Sequence, residues 1–364
     1  MADRSVILVE GDLGIGTTSF GNIVRYRGPF RTTRMEIAVY RGWNSQTLLE
    51  NVMVAILHDL LEDPETRKAG VVKSLRPLVE HVERSVHSAG ISLVGFGGHV
   101  TRNVAVTQPG IIPIETLRQN LLALAEVFRP KNGGASFVLQ LNNLDPSLTF
   151  TKAELASFLN DIRDSLQLPG YSWMLVGKDG LGRFVTDHVP RLRSILSHDV
   201  ILPPLSLSEV ETVMTKRIAA CRLPGRTGKN PIERDLFRDI YEAAGGSLRE
   251  TFNICSKLCL TVAGDPLYKI ITPKEAGALL AELLAVRLSG LERSPLQREM
   301  LIELSLRPGL SQKQLAERIG KDQTNLSRAA RMLVDAGLLR RKKEGRLVRY
   351  WPSPEVRLAA EYLK

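Results

Sequence analysis

Cysteine is scarce in this chain of 364 residues, which has only Cys221, Cys255 and Cys259. So few thiols exclude the disulfide framework that stabilises small secreted proteins. Cys255 and Cys259 are one helical turn apart, but no histidine pair is spaced to complete a zinc site with them. We therefore expect reduced, buried cysteines and no metal site.

Long apolar runs are also lacking. No stretch approaches the roughly 20 apolar residues that span a bilayer, and the first residues do not have the pattern of a signal peptide. These absences predict a cytoplasmic protein with no membrane partner.

Positive charge is concentrated in the last fifth of the chain. The formal net charge is +10, and the stretch from Arg293 to Lys364 has 16 Lys/Arg against 8 Asp/Glu. This concentration of positive charge favours a nucleic-acid-binding module at the C-terminus. A solvated basic face is the alternative.

The N-terminal stretch V-I-L-V-E-G-D-L-G-I-G-T-T-S-F combines a short apolar strand with a glycine-rich turn. Gly11, Gly16 and Thr18 fit the spacing G-x-x-x-x-G-K-[ST], which predicts a turn whose N–H groups and following helix dipole bind phosphate. A plain glycine turn is the alternative.

The lysine of that pattern is missing, because Thr17 stands in its place. A charge-assisted hydrogen bond contributes about 1.5–3 kcal/mol, so its loss weakens nucleotide binding by roughly ten- to a hundredfold. Thr18 retains a hydroxyl for Mg²⁺, whose binding stays open. The residues predicted to hold ATP or ADP weakly at this turn are Gly11, Gly14, Gly16, Thr17, Thr18 and Ser19.

Apolar strands alternate with helices up to residue 204, a pattern typical of a parallel α/β sheet. A hairpin is predicted within residues 91–106. Residues 205–290 read as a small helical domain, and residues 291–364 as a separate basic domain. Ligands of parallel sheets bind beyond the carboxyl ends of the strands, where the glycine turn, Asn142 and Asn143, and the run from Gly177 to Asp179 are expected.

The order of these pieces resembles the AAA+ and related STAND P-loop ATPases, particularly the origin-recognition type with a C-terminal winged helix. The resemblance implies a P-loop ATPase core at 1–204, a helical lid at 205–290 and a winged-helix DNA-binding domain at 291–364. Five residues precede Val6, so either another part of the chain covers the base or no base binds.

In that family one strand ends in two acidic residues, which hold the Mg²⁺ water shell and activate the attacking water. The matching run F-V-L-Q-L-N-N-L-D places Asn142 and Asn143 at those positions. An amide has no charge for Mg²⁺ and cannot act as a base. With Thr17, these changes predict degenerate Walker A and Walker B motifs and no catalytic residue.

The resemblance also implies roles for three arginines. Arg191 and Arg193 lie where the family often has an arginine finger, and Arg249, in G-G-S-L-R, resembles the lid arginine that contacts the γ-phosphate. Arg193 and Arg249 therefore join Asn142 and Asn143 as predicted nucleotide-site residues. For Arg191 and Arg193 an ordinary surface position is the alternative. Gly177 stands near the family's polar sensor position.

The last domain resembles MarR-like winged helices. Three helices are predicted over 295–306, 311–320 and 323–336, followed by two strands about Glu344 and Gly345. Asn and Gln side chains pair with adenine and Arg with guanine, whereas basic wings suit phosphates or the minor groove. The predicted DNA-binding residues are Gln323, Thr324, Asn325, Ser327, Arg328 and Arg331 on the third helix and Arg340, Arg341, Lys342, Lys343, Arg346 and Arg349 on the wing. Use of the domain for protein contacts is the alternative.

Three functions fit these features. The first is a DNA-binding, catalytically silent AAA+-like subunit that acts as a scaffold or nucleotide sensor, with double-stranded DNA as partner, in a homo-oligomer or a hetero-oligomer with an intact ATPase. The second is a transcriptional regulator that uses the degenerate fold for oligomerisation or ligand sensing. The third is a weakly active ATPase with relocated catalytic groups.

Overall fold

The computed structural model describes residues 4–28, 30–34, 36–77, 112–128, 136–146, 149–222, 225, 230–263, 270–289, 295–344 and 347–362. The chain divides into two compact units, one ending at Pro203 and one beginning at Pro204. The hairpin predicted at 91–106 and the predicted DNA contact Arg346 lie outside the described residues.

The first unit is built on a five-stranded parallel sheet. Its strands are β1 (Val6–Gly11), β2 (Ile37–Ala38), β3 (Phe137–Leu144), β4 (Tyr171–Lys178) and β5 (His198–Leu202), in the order β2-β3-β4-β1-β5. The helices of this unit include α1 (Thr17–Arg27), α2 (Ser45–Glu62), α3 (Ile114–Phe128), α4 (Lys152–Ile162), α5 (Leu181–His188) and α6 (Pro190–Arg193). This is a P-loop ATPase-like arrangement, as predicted.

The central strands are apolar because helices cover both faces of the sheet. Leu8 and Leu175 face the larger core with α2, whereas Val9 and Val176 belong to a smaller cluster against which α1 packs. Strand β1 pairs with β4 so that Val9 lies opposite Val176. The carboxyl ends of β1, β3 and β4 therefore meet at one edge, where α1 begins.

The second unit joins a helical part to a winged helix. The helical part contains α7 (Leu207–Cys221), α8 (Arg234–Ala243), α9 (Leu248–Thr261) and α10 (Pro273–Ser289). The winged helix contains α11 (Pro295–Leu306), β6 (Leu310–Ser311), α12 (Gln312–Ile319), α13 (Gln323–Asp335), β7 (Leu339–Glu344), β8 (Leu347–Pro352) and α14 (Pro354–Leu358). Its antiparallel sheet has the order β6-β8-β7.

The two parts of the second unit share one apolar core. Ile240 and Leu258 of the helical part lie in the same buried cluster as Leu301, Leu333 and Val356 of the winged helix. Val356 is completely buried. The segments predicted as a lid and a separate DNA-binding domain are thus packed into one compact body. Among the helices that the structure describes, none has the length and apolarity needed to cross a membrane.

Candidate phosphate cradle and nucleic-acid interface

The glycine turn between β1 and α1 has a backbone that requires glycine. Gly14 and Gly16 have φ angles of 85° and 112°, and Gly16 is the N-cap of α1. A Cβ on Gly11 would lie 2.5 Å from Ile15 Cδ1 and 3.2 Å from the Leu202 carbonyl oxygen. The first N–H groups of α1 are free of intrahelical partners by position. The chain therefore forms an open cradle of the kind that accepts phosphate.

Three hydroxyl side chains open α1 in this cradle. Thr17 and Thr18 are half-buried, and Ser19 is exposed. The run from Gly11 to Ser19 contains no lysine or arginine. The turn itself therefore supplies dipoles and hydroxyls but no positive charge.

Lys178 is a cation that the sequence analysis did not assign to the cradle. It ends β4 directly opposite Gly11, and the Asp179 N–H donates to the Gly11 carbonyl at 2.9 Å. Side chains alternate along a strand, so Lys178 shares the face of Met174 and Val176, against which α1 packs. Among the described residues, the Lys178 side chain has no hydrogen-bond or ion-pair partner. The sequence did place the run from Gly177 to Asp179 at the carboxyl end of a strand, which is the signal that could have identified Lys178 as part of the cradle.

Asn142 is fixed in a buried polar network. Its Oδ1 accepts from Gln140 Nε2 at 2.9 Å, and its Nδ2 donates to Glu36 Oε2 at 3.2 Å. Glu36 Oε1 lies 3.9 Å from Arg25 Nη1 of α1. Asn142 is only 5% exposed. The Asn142 amide, at the first predicted acidic position, is therefore linked through Glu36 to Arg25 of α1.

Arg25, near the C-terminal end of α1, is the last member of this network. Its guanidinium donates to the Thr33 carbonyl and to Asn22 Oδ1. Burial lowers the pKa of Arg25, although the charge of nearby Glu36 acts in the opposite direction. The pairing keeps this buried guanidinium charged and satisfied.

Asn143 and Gly177 lie at the same sheet edge. Asn143 is exposed and has a φ of 70°, next to the register shift between Leu141 and Leu144. A Cβ on Gly177 would lie 2.4 Å from the Leu144 carbonyl oxygen, so no larger residue fits at that predicted sensor position without a backbone shift. Among the described residues no cluster of three His, Cys, Asp or Glu side chains could hold a metal ion.

The predicted nucleotide-site arginines have separate environments. Arg193 forms an ion pair with Asp199 on the edge strand β5. Arg191 is exposed, and its carbonyl accepts from Arg163 Nε at 3.2 Å. Arg249 belongs to the second unit and is exposed in the first turn of α9.

Helix α13 separates its side chains by polarity. Leu326, Ala329, Ala330 and Leu333 are buried in the core. The exposed residues include all six predicted base-reading side chains, which are Gln323, Thr324, Asn325, Ser327, Arg328 and Arg331. Positions 324, 327, 328 and 331 fall on one face by helical periodicity. The Asp322 side chain caps the helix through the Thr324 N–H at 3.1 Å. The helix thus presents a polar surface from a fixed N-terminus.

The basic side chains of the wing divide into two groups. Arg340 pairs with Glu250 of α9, and Arg349 Nη1 donates to the Gly309 carbonyl at 2.8 Å. Arg341 and Lys342 are exposed on β7, and Lys343 follows them in the strand, opposite Val348. The first two side chains hold the wing in place, whereas the exposed ones are available to phosphate.

Comparisons with known proteins give a family match in the C-terminal part and similarities over most of the chain. Residues 289–346 match the MarR family. The chain is 23% identical over 352 residues to an uncharacterized HTH-type transcriptional regulator of Methanocaldococcus jannaschii, covering 96% of this chain and 81% of the relative. It is similar to the ORC1 protein of Aeropyrum pernix in complex with DNA, with a TM-score of 0.44 and 15% identity over 99% of this chain and 86% of that one. It is also similar to Cdc6p of Pyrobaculum aerophilum, with a TM-score of 0.40 and 14% identity over 99% and 87%.

Proposed function

We propose that this protein binds duplex DNA through its C-terminal winged helix, and that its P-loop-like core is a catalytically silent scaffold or nucleotide sensor. One observation carries the proposal: α13 exposes six hydrogen-bonding side chains while burying its apolar ones, beside a basic hairpin. Arg, Asn and Gln read base edges in the major groove. The match to the MarR family over residues 289–346 supports the same use of this domain.

The wing cations of β7 supply the sequence-independent part of binding. Arg341, Lys342 and Lys343 neutralise phosphates, and each such contact steepens the fall of affinity with salt by a slope of about 0.9. Replacing all three by alanine is expected to weaken binding to any duplex and to flatten the salt slope. The matched control removes equal charge elsewhere, in Arg183→Ala, Lys216→Ala and Lys274→Ala, which are exposed positions outside the winged helix.

Arg328 tests base reading. After a preferred site is selected from random duplexes, Arg328→Ala is expected to cost about 1–3 kcal/mol on that site and much less on random DNA. Fluorescence anisotropy of the full chain measures both affinities. Equal losses on both duplexes would assign Arg328 to phosphate, and no loss on either would contradict its role in DNA binding.

The relative's printed name, an HTH-type transcriptional regulator, supports a second candidate function, in which the protein regulates transcription. In that case the core serves oligomerisation or ligand sensing, as a homo-oligomer. In the scaffold role, by contrast, the protein assembles with an intact ATPase. Purification of the tagged chain from its source, followed by identification of the proteins bound to it, separates the two: an intact ATPase supports the scaffold, and only copies of this chain support the regulator.

The cradle is proposed to bind ATP or ADP weakly, with Lys178 as its source of positive charge. Lys178 lies opposite Gly11 in the neighbouring strand, and its ammonium group is proposed to supply the positive charge that Thr17 lacks. Lys178→Thr is expected to lower nucleotide affinity measured by calorimetry, and the double variant Lys178→Thr with Thr17→Lys to restore it. Affinity that does not change with Lys178→Thr would exclude Lys178 from the site. Absence of binding in every variant would show that the cradle holds no nucleotide.

A further inference from the structure

Helix α9 presents two opposite charges to the winged helix. Glu250 Oε1 accepts a hydrogen bond from Arg340 Nη2 at the base of β7. Lys257 Nζ donates to Glu355 Oε1 of α14 at 2.8 Å. Positions seven apart lie on one face of a helix, separated by about 10.5 Å along its axis. The two pairs have opposite polarity, so sliding the winged helix along α9 breaks both of them.

The Glu250 contact replaces a local one. Glu154, Glu209 and Gln314 occupy the third position of their helices, and each side chain returns to the backbone N–H of its N-cap residue. Glu250 has the same position behind its N-cap Ser247. Its carboxylate instead binds Arg340, 90 residues away. The fold therefore uses this acidic residue for a long-range contact where a capping box was available.

The pairs lie beside tightly packed apolar residues. Leu339 precedes Arg340 and is 2% exposed, and Val356 follows Glu355 and is fully buried. The side chains of Glu250 and Glu355 are only 25% and 13% exposed. Partly exposed ion pairs contribute little to stability. Their contribution here is specificity, because apolar contacts are non-directional whereas these two charge pairs form in only one alignment of the winged helix on α9.

We propose that Glu250 and Lys257 are positioning residues for DNA binding, forming a two-point clamp that sets the angle at which the wing leaves the body of the second unit. This inference rests on the proposed function. From Arg340 to the end of β7 at Glu344 is about 14 Å at the rise of a strand, so a 10° change at the base moves the tip by roughly 2.4 Å. That displacement is close to the length of a hydrogen bond, so it separates wing side chains from phosphates.

Charge reversal distinguishes positioning from simple attraction. Glu250→Arg adds positive charge to a DNA-binding protein, and electrostatics alone predicts tighter binding. The clamp predicts the opposite, a loss of about tenfold or more. The matched control Glu282→Arg adds the same charge at an exposed position of α10 and is expected to bind as tightly as the parent chain or more tightly.

The double variant Glu250→Arg with Arg340→Glu restores the pair in the opposite polarity. The clamp predicts that Arg340→Glu alone weakens binding and that the double variant recovers most of the affinity and the parent salt slope. The comparison variant Arg341→Glu removes an exposed wing cation, so its loss is not recovered by Glu250→Arg. The swap Lys257→Glu with Glu355→Lys repeats the test at the second point, should the first pair fail to fold.

Fluorescence anisotropy of the full chain with a labelled duplex measures all of these. Tighter binding by Glu250→Arg, or failure of both swaps to recover affinity, would overturn the clamp while leaving DNA binding intact. Absence of duplex binding by the parent chain at low salt would instead refute the proposed function, and the clamp with it.

Discussion

Introducing a carboxylate at Asn142 is expected to destabilise the first unit. In the structure Asn142 Nδ2 donates to Glu36 Oε2 at 3.2 Å, and Asn142 is almost fully buried. Asn142→Asp removes a hydrogen bond to a charged group, worth about 1.5–3 kcal/mol. It also places two carboxylates about 3 Å apart, which repel by about 5 kcal/mol at an effective dielectric constant of 20.

The pair relieves most of this repulsion by retaining a proton. The folded-state pKa of that shared carboxyl is then raised above its unfolded value, so its contribution to stability is present at acidic pH and is lost as the pH rises through the raised pKa. We expect Asn142→Asp to lower the free energy of unfolding by about 2–4 kcal/mol at pH 7, and by less at pH 4.

Urea unfolding followed by the fluorescence of Trp43 and Trp173 measures this, in a background where Trp351 is replaced by phenylalanine. Glu36→Gln is expected to rescue Asn142→Asp, because an amide then faces the new carboxylate. Asn160→Asp makes the same chemical change at an exposed position and serves as the control. Equal stability of Asn142→Asp and the parent chain at pH 7 would refute the account of this network.

Three further outcomes are expected. ATP turnover, measured by phosphate release with and without duplex DNA, should equal background; a DNA-stimulated rate near about 1 per second that Gly16→Arg abolishes would contradict this. Burial raises the pKa of Asp59 to about 6 against the two hydrogen bonds from the Arg34 N–H, so the stability it contributes at low pH is lost as pH rises through about 6. Asp59→Asn should remove about 3 kcal/mol of that pH dependence. Chemical unfolding measures this at pH 4 and pH 7; a difference in free energy of unfolding between variant and parent that is the same at both pH values would contradict it. Burial raises the pKa of Cys255 to about 12, so iodoacetamide at pH 8 should modify exposed Cys221 first; mass spectrometry showing Cys255 modified first would exclude this burial.

Local signals in the sequence predicted much of the fold. The capping boxes of Ser206 with Glu209 and of Ser311 with Gln314 are local signals of this kind, because each depends on residues three apart. The glycine turn and the apolar strands β1 and β3 could likewise be predicted, because each is defined by a run of only a few residues. The third helix of the last domain, predicted over 323–336, matches α13 (Gln323–Asp335) to within one residue.

Strand β5 was not predicted. It is a five-residue edge strand, His198–Leu202, whose side chains are exposed or half-buried. It lacks the apolar run that marks the central strands, because only one neighbour pairs with it. Its assignment depends on pairing with β1, almost 200 residues earlier, which no local pattern reveals.

The contacts that define the sites are also long-range. Glu36 and Asn142 are 106 residues apart, and Glu250 and Arg340 are 90 apart. The sequence shows amides at Asn142 and Asn143, where the family resemblance implies carboxylates, and it shows that the wing is basic. It does not show that Glu36 holds the amide or that one wing arginine is paired, because those pairings arise from the packing of the sheet and of the second unit.

Duplex affinity across a salt series tests the central claim most directly. The full chain is titrated against a labelled duplex, with fluorescence anisotropy read from about 50 to 200 mM salt. The account predicts binding at low salt that weakens steeply, with a slope near −0.9 for each phosphate contacted. No binding at low salt would contradict DNA recognition by the winged helix and would assign its exposed face to a protein partner.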